Sequence, residues 1–303
     1  MKKKIFYLVS IILIILIPTL LTEIYLKNIG LGNPITYDKN DVYGYSPKPN
    51  QKKVRFNNAT VTINDVGLRS IYDWKNNDGG KKIIFFGDSV TYGGSYIDDK
   101  ETFAHLSCKN LNNPGFICGN AGVNAYGVLN ITFRSRYDLR LSDDDLRIFL
   151  LVPDDFYRGL QNYNTAHFYM NDNKYLFPGI IEALNFFSTK YNLKNFISKK
   201  VDNNYKKINT KNLIDESILI FNSEIQRLKK QNKKFLLFYS PSKNENALNN
   251  YIYNKLYKLI NHEIIDLSDY LDDEMYEDSV HYNKIGHKTI SKIISKKINE
   301  KLK

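Results

Sequence analysis

Residues 83–93 read IIFFGDSVTYG, and this stretch decides how the fold of the 303-residue chain is interpreted. Four consecutive apolar residues predict a strand buried on both faces, and the Gly-Asp-Ser that follows predicts a tight turn. A serine held in such a turn has its hydroxyl exposed at the sheet edge and its own amide free to donate. This arrangement presents a nucleophile, and Ser89 is the candidate. The alternatives are a strand-to-helix turn shaped by glycine and aspartate, or a phosphate-binding nest.

After residue 80, short apolar runs alternate with longer helical patterns. The candidate strands are Ile83–Phe86, Gly115–Cys118, Arg147–Val152, Phe235–Tyr239 and Glu263–Asp266. The candidate helices lie near residues 99–110, 125–140, 212–231, 245–260 and 283–302. This alternation predicts a five-stranded parallel sheet covered on both faces, a flavodoxin-like three-layer α/β sandwich. Such sheets bind ligands at the carboxyl ends of their strands, which is where Ser89 falls.

The N-terminus carries a near-continuous apolar run over residues 5–21, preceded by three lysines. Tyr25 and Leu26 can extend it to the length that spans a bilayer, so we expect contact with a membrane through residues about 5–26. No small-residue cleavage triplet follows, which favours an uncleaved signal anchor over a cleaved signal peptide. The lysines keep the N-terminus cytoplasmic, which predicts that the remainder is extracytoplasmic, either periplasmic or extracellular.

Three regions follow from this pattern. Residues 1–27 form the cytoplasmic N-terminus and anchor, and residues 28–80 form a linker and small β-rich extension, because Gly, Pro, Asn and Asp punctuate short alternating pieces. Residues 81–303 form the α/β domain that carries Ser89. Within it, the aromatic- and asparagine-rich piece at about 159–210 fits the alternation poorly and is interpreted as an insertion, either a lid or substrate platform or extra helices packed on the core.

Charge and cysteine content limit the partners. The net charge of +11 comes from basic residues spread along the chain without a compact motif, which favours a lysine-rich surface near anionic lipid over a nucleic-acid site. Cys108 and Cys118 form one disulfide in an exported domain, or stay as two buried thiols. No further metal ligands lie near these cysteines in the sequence, so we expect no metal site.

Two motifs at opposite ends of the domain resemble those of one family. Gly87–Gly93 resembles the first signature block of the SGNH/GDSL hydrolase superfamily, Gly-Asp-Ser-x-(Thr/Ser)-x-Gly, and Asp278-Ser279-Val280-His281 has the Asp-x-x-His spacing of its last block. The resemblance implies a membrane-anchored, extracytoplasmic member with Ser89 as nucleophile. A serine hydroxyl needs an adjacent base that a third group orients. We therefore expect Asp278 to accept a hydrogen bond from His281 Nδ1, so that Nε2 faces Ser89.

The oxyanion donors of the family are the amide of the nucleophile, a second-block amide and a third-block asparagine side chain. The second block is similar to residues 120–127, NAGVNAYG, where the usual donor glycine falls on Ala125, with Gly122 and Asn124 as alternatives. In the third block Asp154 replaces the asparagine, and an ionised carboxylate accepts hydrogen bonds but cannot donate them. Four explanations are open. Asp154 is protonated, or it turns away to contact Arg158 or a substrate hydroxyl, or backbone donors alone stabilise the oxyanion. In the fourth, catalysis has been lost.

The sequence therefore predicts an SGNH-type serine esterase that acts on acyl esters, foremost acetyl esters, of an envelope glycan without a cofactor. Because the acyl-enzyme can pass its acyl group to water or to a sugar hydroxyl, deacetylation and O-acetyl transfer are both consistent with it. A lipid or small ester is a further substrate option. The alternative function is that of a non-catalytic glycan-binding or assembly protein that retains the fold, and Asp154 favours it.

Overall fold

The computed structural model describes residues 2–75, 80–111, 115–163, 176–190, 210–243 and 247–302. Its helices are α1 (Lys2–Asn28), α2 (Ser89–Tyr92), α3 (Phe103–Lys109), α4 (Val128–Tyr137), α5 (Pro178–Lys190), α6 (Thr210–Lys230), α7 (Ala247–Leu259) and α8 (Lys284–Leu302). Its strands are β1 (Tyr37–Asn40), β2 (Gly44–Pro47), β3 (Gln51–Val54), β4 (Thr60–Ile63), β5 (Lys81–Phe86), β6 (Phe116–Asn120), β7 (Leu146–Leu151), β8 (Lys234–Tyr239) and β9 (Ile264–Asp266).

The central sheet contains the five predicted strands in the order β6-β5-β7-β8-β9. Every neighbouring pair in it is parallel, from β5 with β6 to β8 with β9. Counted along the chain this is the strand order 2-1-3-4-5 of flavodoxin-like folds. The predicted three-layer α/β fold is confirmed, and the carboxyl end of β5 lies between those of β6 and β7.

Both faces of the sheet are buried. Side chains such as Phe86 and Phe149 contribute to one apolar cluster with α4, α6 and α7, while Phe85 and Ile148 contribute to another with α3 and α8. Successive residues of a strand point to opposite faces, so a strand covered on both sides must be apolar at every position. This explains why the strands were recognisable as unbroken apolar runs.

The extension over residues 28–80 consists of two antiparallel hairpins, β1 with β2 and β3 with β4. Arg69, just after β4, exchanges backbone hydrogen bonds with Asn120 at the end of β6. Its buried guanidinium contacts Asp99 at 2.9 Å and the carbonyl oxygen of Tyr92 at 2.8 Å. The extension is thus attached to the sheet edge and to the segment that follows Ser89.

A disulfide joins Cys108 in α3 to Cys118 in β6, with the two Cα atoms 5.9 Å apart. It links a helix of one outer layer to the edge strand of the sheet. Of the predicted insertion, residues 164–175 and 191–209 lie outside the described residues. Within its described part, α5 forms a helix that packs against the end of α1.

One described helix is long and apolar enough to cross a membrane. It covers Lys3–Asn28, has a mean hydropathy of 2.7, and none of its most apolar stretch is buried against the rest of the protein. An apolar helix that the protein leaves uncovered suits either a membrane anchor or a signal sequence. Its topology and the side of the membrane on which the domain lies stay predictions.

Candidate active site

Ser89 is the first residue of α2 and lies at the carboxyl end of β5. The preceding Asp88 caps α2, since its Oδ1 accepts a hydrogen bond from the Val90 amide at 2.8 Å. Gly87 has no room for a side chain, because a Cβ there would lie 2.0 Å from Thr91 Oγ1. The sharp turn leaves the Ser89 hydroxyl partly exposed at the sheet edge.

The three residues predicted as a catalytic triad meet here. Ser89 Oγ lies 2.7 Å from His281 Nε2, although the two residues are 192 positions apart in the chain. His281 Nδ1 lies 2.7 Å from Asp278 Oδ2. With Nδ1 donating to the carboxylate, Nε2 presents its lone pair to the serine hydroxyl, which is the tautomer that proton abstraction requires.

The aspartate sets the protonation of this pair. Burial alone would raise the pKa of Asp278, but hydrogen bonds from the His281 ring and from the Val280 and His281 amides lower it to about 2. Burial alone would lower the pKa of His281, but the hydrogen bond and charge of Asp278 outweigh it and raise that pKa. Asp278 is therefore ionised throughout the working range, and His281 is a stronger base than a free imidazole.

A second histidine near the site, His287, is structural, as its place at the start of the final helix predicts. It is fully buried, and its Nδ1 accepts a hydrogen bond from the Phe103 amide at 3.1 Å. Burial lowers the pKa of His287 to about 3, so that it stays neutral. Its ring stacks on Phe103, with centroids 5.5 Å apart, and lies beside Gly93, which follows α2.

Three of the candidate backbone amides are available for an oxyanion. Within the described part of the chain, the amides of Ser89, Asn124 and Ala125 donate to no acceptor. Ala125 has φ +64°, the left-handed region that glycine adopts without cost. The residue that stands in place of the family's glycine has thus kept the glycine conformation.

The amide of Gly122, an alternative oxyanion donor, is already engaged, because it donates to Asn120 Oδ1 at 2.8 Å. Gly122 serves packing instead, since a Cβ there would lie 2.3 Å from the amide nitrogen of Tyr92 in α2. Asn124, the other alternative, accepts a hydrogen bond from the Tyr45 hydroxyl at 2.7 Å through its carbonyl oxygen. These contacts hold the second block against the Ser89 turn.

Asp154 turns toward its own loop. Its Oδ1 accepts a hydrogen bond from the Tyr157 hydroxyl, and its Oδ2 lies 3.4 Å from Arg158 Nη2. Among the explanations open from the sequence, the structure therefore has the contact with Arg158. A carboxylate held by a guanidinium and a phenol is compensated within the protein.

Arg158 joins the three loops of the site, a role that the sequence did not reveal. Its Nη1 lies 2.8 Å from Asp88 Oδ2, 2.9 Å from the carbonyl oxygen of Tyr126 and 3.3 Å from Asp155 Oδ1. Asp88 Oδ2 is in turn 3.4 Å from Ser89 Oγ. One guanidinium therefore contacts the Ser89 turn, the Ala125 loop and the Asp154 loop.

Asp155 is fully buried beside Asp88. Burial first, and the Asp88 charge second, raise the pKa of Asp155 well above its ordinary value, which favours its protonated form. The sequence signal that could have indicated this cluster is the close spacing of Asp154, Asp155 and Arg158.

Among the described residues, no cluster of three or more His, Cys, Asp or Glu side chains is arranged to hold a metal ion.

No protein-family model and no curated protein matches the chain. Solved structures with a similar fold include an acetyl xylan esterase, with 19% identity and a TM-score of 0.46, covering 72% of this chain and 99% of that one. A lipase/acylhydrolase from Enterococcus faecalis has 14% identity and a TM-score of 0.42, covering 73% and 96%.

A GDSL-like lipase from Bacteroides thetaiotaomicron VPI-5482 has 13% identity and a TM-score of 0.43, covering 73% of this chain and 88% of that one.

The charge of Asp278 is expected to set the pH at which kcat/KM falls on the acid side of its pH profile, here called the acid limb. Because only neutral His281 accepts a proton, kcat/KM should rise with pH through a pKa above the usual value of about 6.5. Asp278→Asn removes the groups that raise this pKa, so the limb should move to lower pH while kcat falls about 10³–10⁴-fold. Glu277→Gln is the matched control and should leave the limb in place. An unchanged limb in Asp278→Asn would contradict the assignment.

Ala125→Gly should stabilise the protein. A left-handed conformation costs a residue with a Cβ about 1–2 kcal/mol, part of which the greater chain entropy of unfolded glycine offsets, so the gain is about 1 kcal/mol. Urea denaturation of the full chain in detergent measures it. Activity should be retained, because glycine keeps the amide. Ala121→Gly, at a position outside the left-handed region, should instead destabilise, and equal effects of both changes would refute the backbone argument.

Asp154→Asn tests whether the missing family donor matters. Because the side chain contacts Tyr157 and Arg158, an asparagine in the same orientation should change kcat by less than about 10-fold, against the 10²–10³-fold that one oxyanion donor contributes. Steady-state hydrolysis of an activated ester measures it, with the exposed Asp269→Asn as control. A rise of 10²-fold or more would mean that residue 154 faces the oxyanion.

Proposed function

We propose, for a chain whose motifs and sheet are those of the SGNH/GDSL superfamily, the activity of a serine esterase. In this proposal Ser89 is the nucleophile, His281 the general base and Asp278 the group that orients the base. The supporting observation is the continuous hydrogen-bonded chain from Ser89 Oγ through both ring nitrogens of His281 to Asp278, with each contact 2.7 Å long.

Acylation begins when His281 Nε2 takes the proton of the Ser89 hydroxyl as Oγ attacks the ester carbonyl carbon. The ionised Asp278 stabilises the imidazolium that forms. The carbonyl oxygen becomes negatively charged, and in this proposal the amides of Ser89 and Ala125 donate to it. When the tetrahedral intermediate collapses, His281 returns the proton to the leaving alcohol and the acyl group stays on Ser89.

Deacylation repeats these steps with a second nucleophile. His281 removes a proton from water or from an acceptor hydroxyl, whose oxygen attacks the acyl carbon, and the proton then returns to Ser89 Oγ. Water gives a carboxylic acid, whereas a sugar hydroxyl gives a new ester. The same three side chains therefore serve an esterase or an O-acyltransferase, and no cofactor is required for either reaction.

The proposed substrate is an acyl ester, foremost an acetyl ester, of an envelope glycan. Two features support this location outside the cytoplasm. The uncovered apolar helix α1 follows three lysines, as in an anchor with its N-terminus in the cytoplasm. The disulfide between Cys108 and Cys118 suits an oxidising compartment. An anchored domain there is close to acylated carbohydrate.

A second candidate function is glycan binding without turnover. Asp154 favours it, because the third-block position that supplies a side-chain donor in the family is occupied here by a carboxylate paired with Arg158. In this alternative the fold and the Ser89 loop are retained for recognition, and the oxyanion is too poorly stabilised for efficient acyl transfer.

Measuring ester turnover in a matched pair of variants distinguishes the two functions. The full chain in detergent should hydrolyse p-nitrophenyl acetate, and Ser89→Ala should lower kcat at least about 10⁴-fold, because no other group replaces the nucleophile. Ser142→Ala, a substitution at an exposed serine, is the control and should leave kcat unchanged. Turnover that persists in Ser89→Ala would exclude this serine as the nucleophile.

The same proteins are then applied to an immobilised acetylated glycan. Release of acetate, or its transfer to an added sugar, by wild type but not by Ser89→Ala supports the enzyme. Retention on the glycan without turnover in either protein supports the binding function and rejects the esterase.

A further inference from the structure

Helix α5 exposes an apolar face. Leu184 and Phe187 are 61% and 50% exposed, Ile180 is half-buried on the same face, and Leu176, just before the helix, is 84% exposed. These positions share one stripe at helical spacing. A helix on the surface of a soluble domain directs polar residues to water. Among the described side chains of α5 the charged one is Glu182, and it points inward.

The beginning of α5 is attached to the end of α1. The Glu23 carboxylate accepts hydrogen bonds from the Gly179 amide at 3.0 Å and the Ile180 amide at 2.9 Å. The helices are so close that a Cβ on Gly179 would lie 3.1 Å from Leu26 Cβ. Because Glu23 follows directly on the apolar run of residues 5–21, α5 lies at the level where α1 would leave the hydrocarbon core.

A second segment at the same helix end also exposes apolar side chains. Arg55 donates to the carbonyl oxygen of Gly30 at 2.9 Å and forms a buried ion pair with Glu182 of α5. Its two neighbours, Val54 and Phe56, are 56% and 46% exposed. The end of α1 thus carries two attached elements with exposed apolar side chains.

We infer that α5 lies in the plane of the membrane interface, with Ile180, Leu184 and Phe187 at the boundary between headgroups and acyl chains. This inference rests on the proposed anchor. An interfacial helix with one apolar face is buried about 5–10 Å into this boundary. Lipid is the occupant that fits, because the face is uncharged and adjoins the helix that would cross the bilayer. Lys27, whose Nζ lies 3.4 Å from Glu23 Oε1, balances the one carboxylate at this level of α1.

The consequence concerns the position of the catalytic domain. α1 alone would attach the domain through one helix end, around which it could rotate. With α5 bound to the interface, two elements joined by Glu23 fix the domain relative to the bilayer. The Ser89 site then works at a set orientation to the membrane surface.

Tryptophan fluorescence in the full chain reconstituted in phosphatidylcholine nanodiscs tests this. Leu184→Trp and Phe187→Trp should each emit at shorter wavelength and lose intensity when the lipids are brominated near the headgroup end of their chains. The native Trp74 is fully buried, so the wild-type protein supplies the baseline. Leu219→Trp is the matched control, an equally exposed leucine on α6, and should emit at long wavelength without quenching.

Ile14→Trp in α1, examined with lipids brominated near the ends of their acyl chains, separates this inference from the anchor on which it rests. If the tryptophan at position 14 is quenched and those at 184 and 187 are not, the anchor stands and the interfacial helix is refuted. A blue-shifted tryptophan at 184 that brominated lipid does not quench would mean that protein covers the face, which also refutes it. No quenching at position 14 rejects the anchor and the inference together.

Discussion

The guanidinium of Arg158 is the contact on which the geometry around Ser89 depends. It reaches Asp88 in the nucleophile turn, the carbonyl oxygen of Tyr126 beside Ala125, and Asp155 after β7, all within 3.3 Å. Three separate loops at the carboxyl ends of the strands are thereby held by one planar donor group. A guanidinium suits this task because its N–H donors have a fixed planar geometry, whereas a lysine ammonium is a single charge on a flexible stem.

The same contact involves the position at which the sequence departs from the SGNH/GDSL pattern that it resembles. In SGNH enzymes the third block supplies an asparagine donor, whereas here Asp154 adds a further carboxylate to the group around Arg158. Asp154 is thus held by the same guanidinium that contacts Asp88 in the Ser89 turn. Under the proposed esterase activity, backbone amides are the remaining oxyanion donors, and Ala125, with φ +64°, is the candidate from the second block.

Local patterns were sufficient to predict the sheet and the hydrogen-bonded contacts of Ser89, His281 and Asp278. The five strands are apolar at successive positions because both faces of the sheet are covered, and Gly87 to Gly93 and Asp278 to His281 each lie within a few residues. Arg158 was not predictable as a joint between loops, because its partners Asp88 and Tyr126 lie 70 and 32 positions away. The contact of Glu23 with α5 joins residues 156 positions apart and was not predictable either. Such contacts form only in the folded protein, and no local sequence pattern indicates them.

Covalent labelling of the full-length protein tests most directly whether Ser89 is an activated nucleophile. A fluorophosphonate probe reacts with a serine whose hydroxyl is deprotonated by a neighbouring base. Peptide mass spectrometry should find one phosphonyl group, on Ser89, and labelling should be lost in His281→Ala although the serine is still present. Labelling on another residue, or equal labelling of Ser89 without His281, would contradict the account.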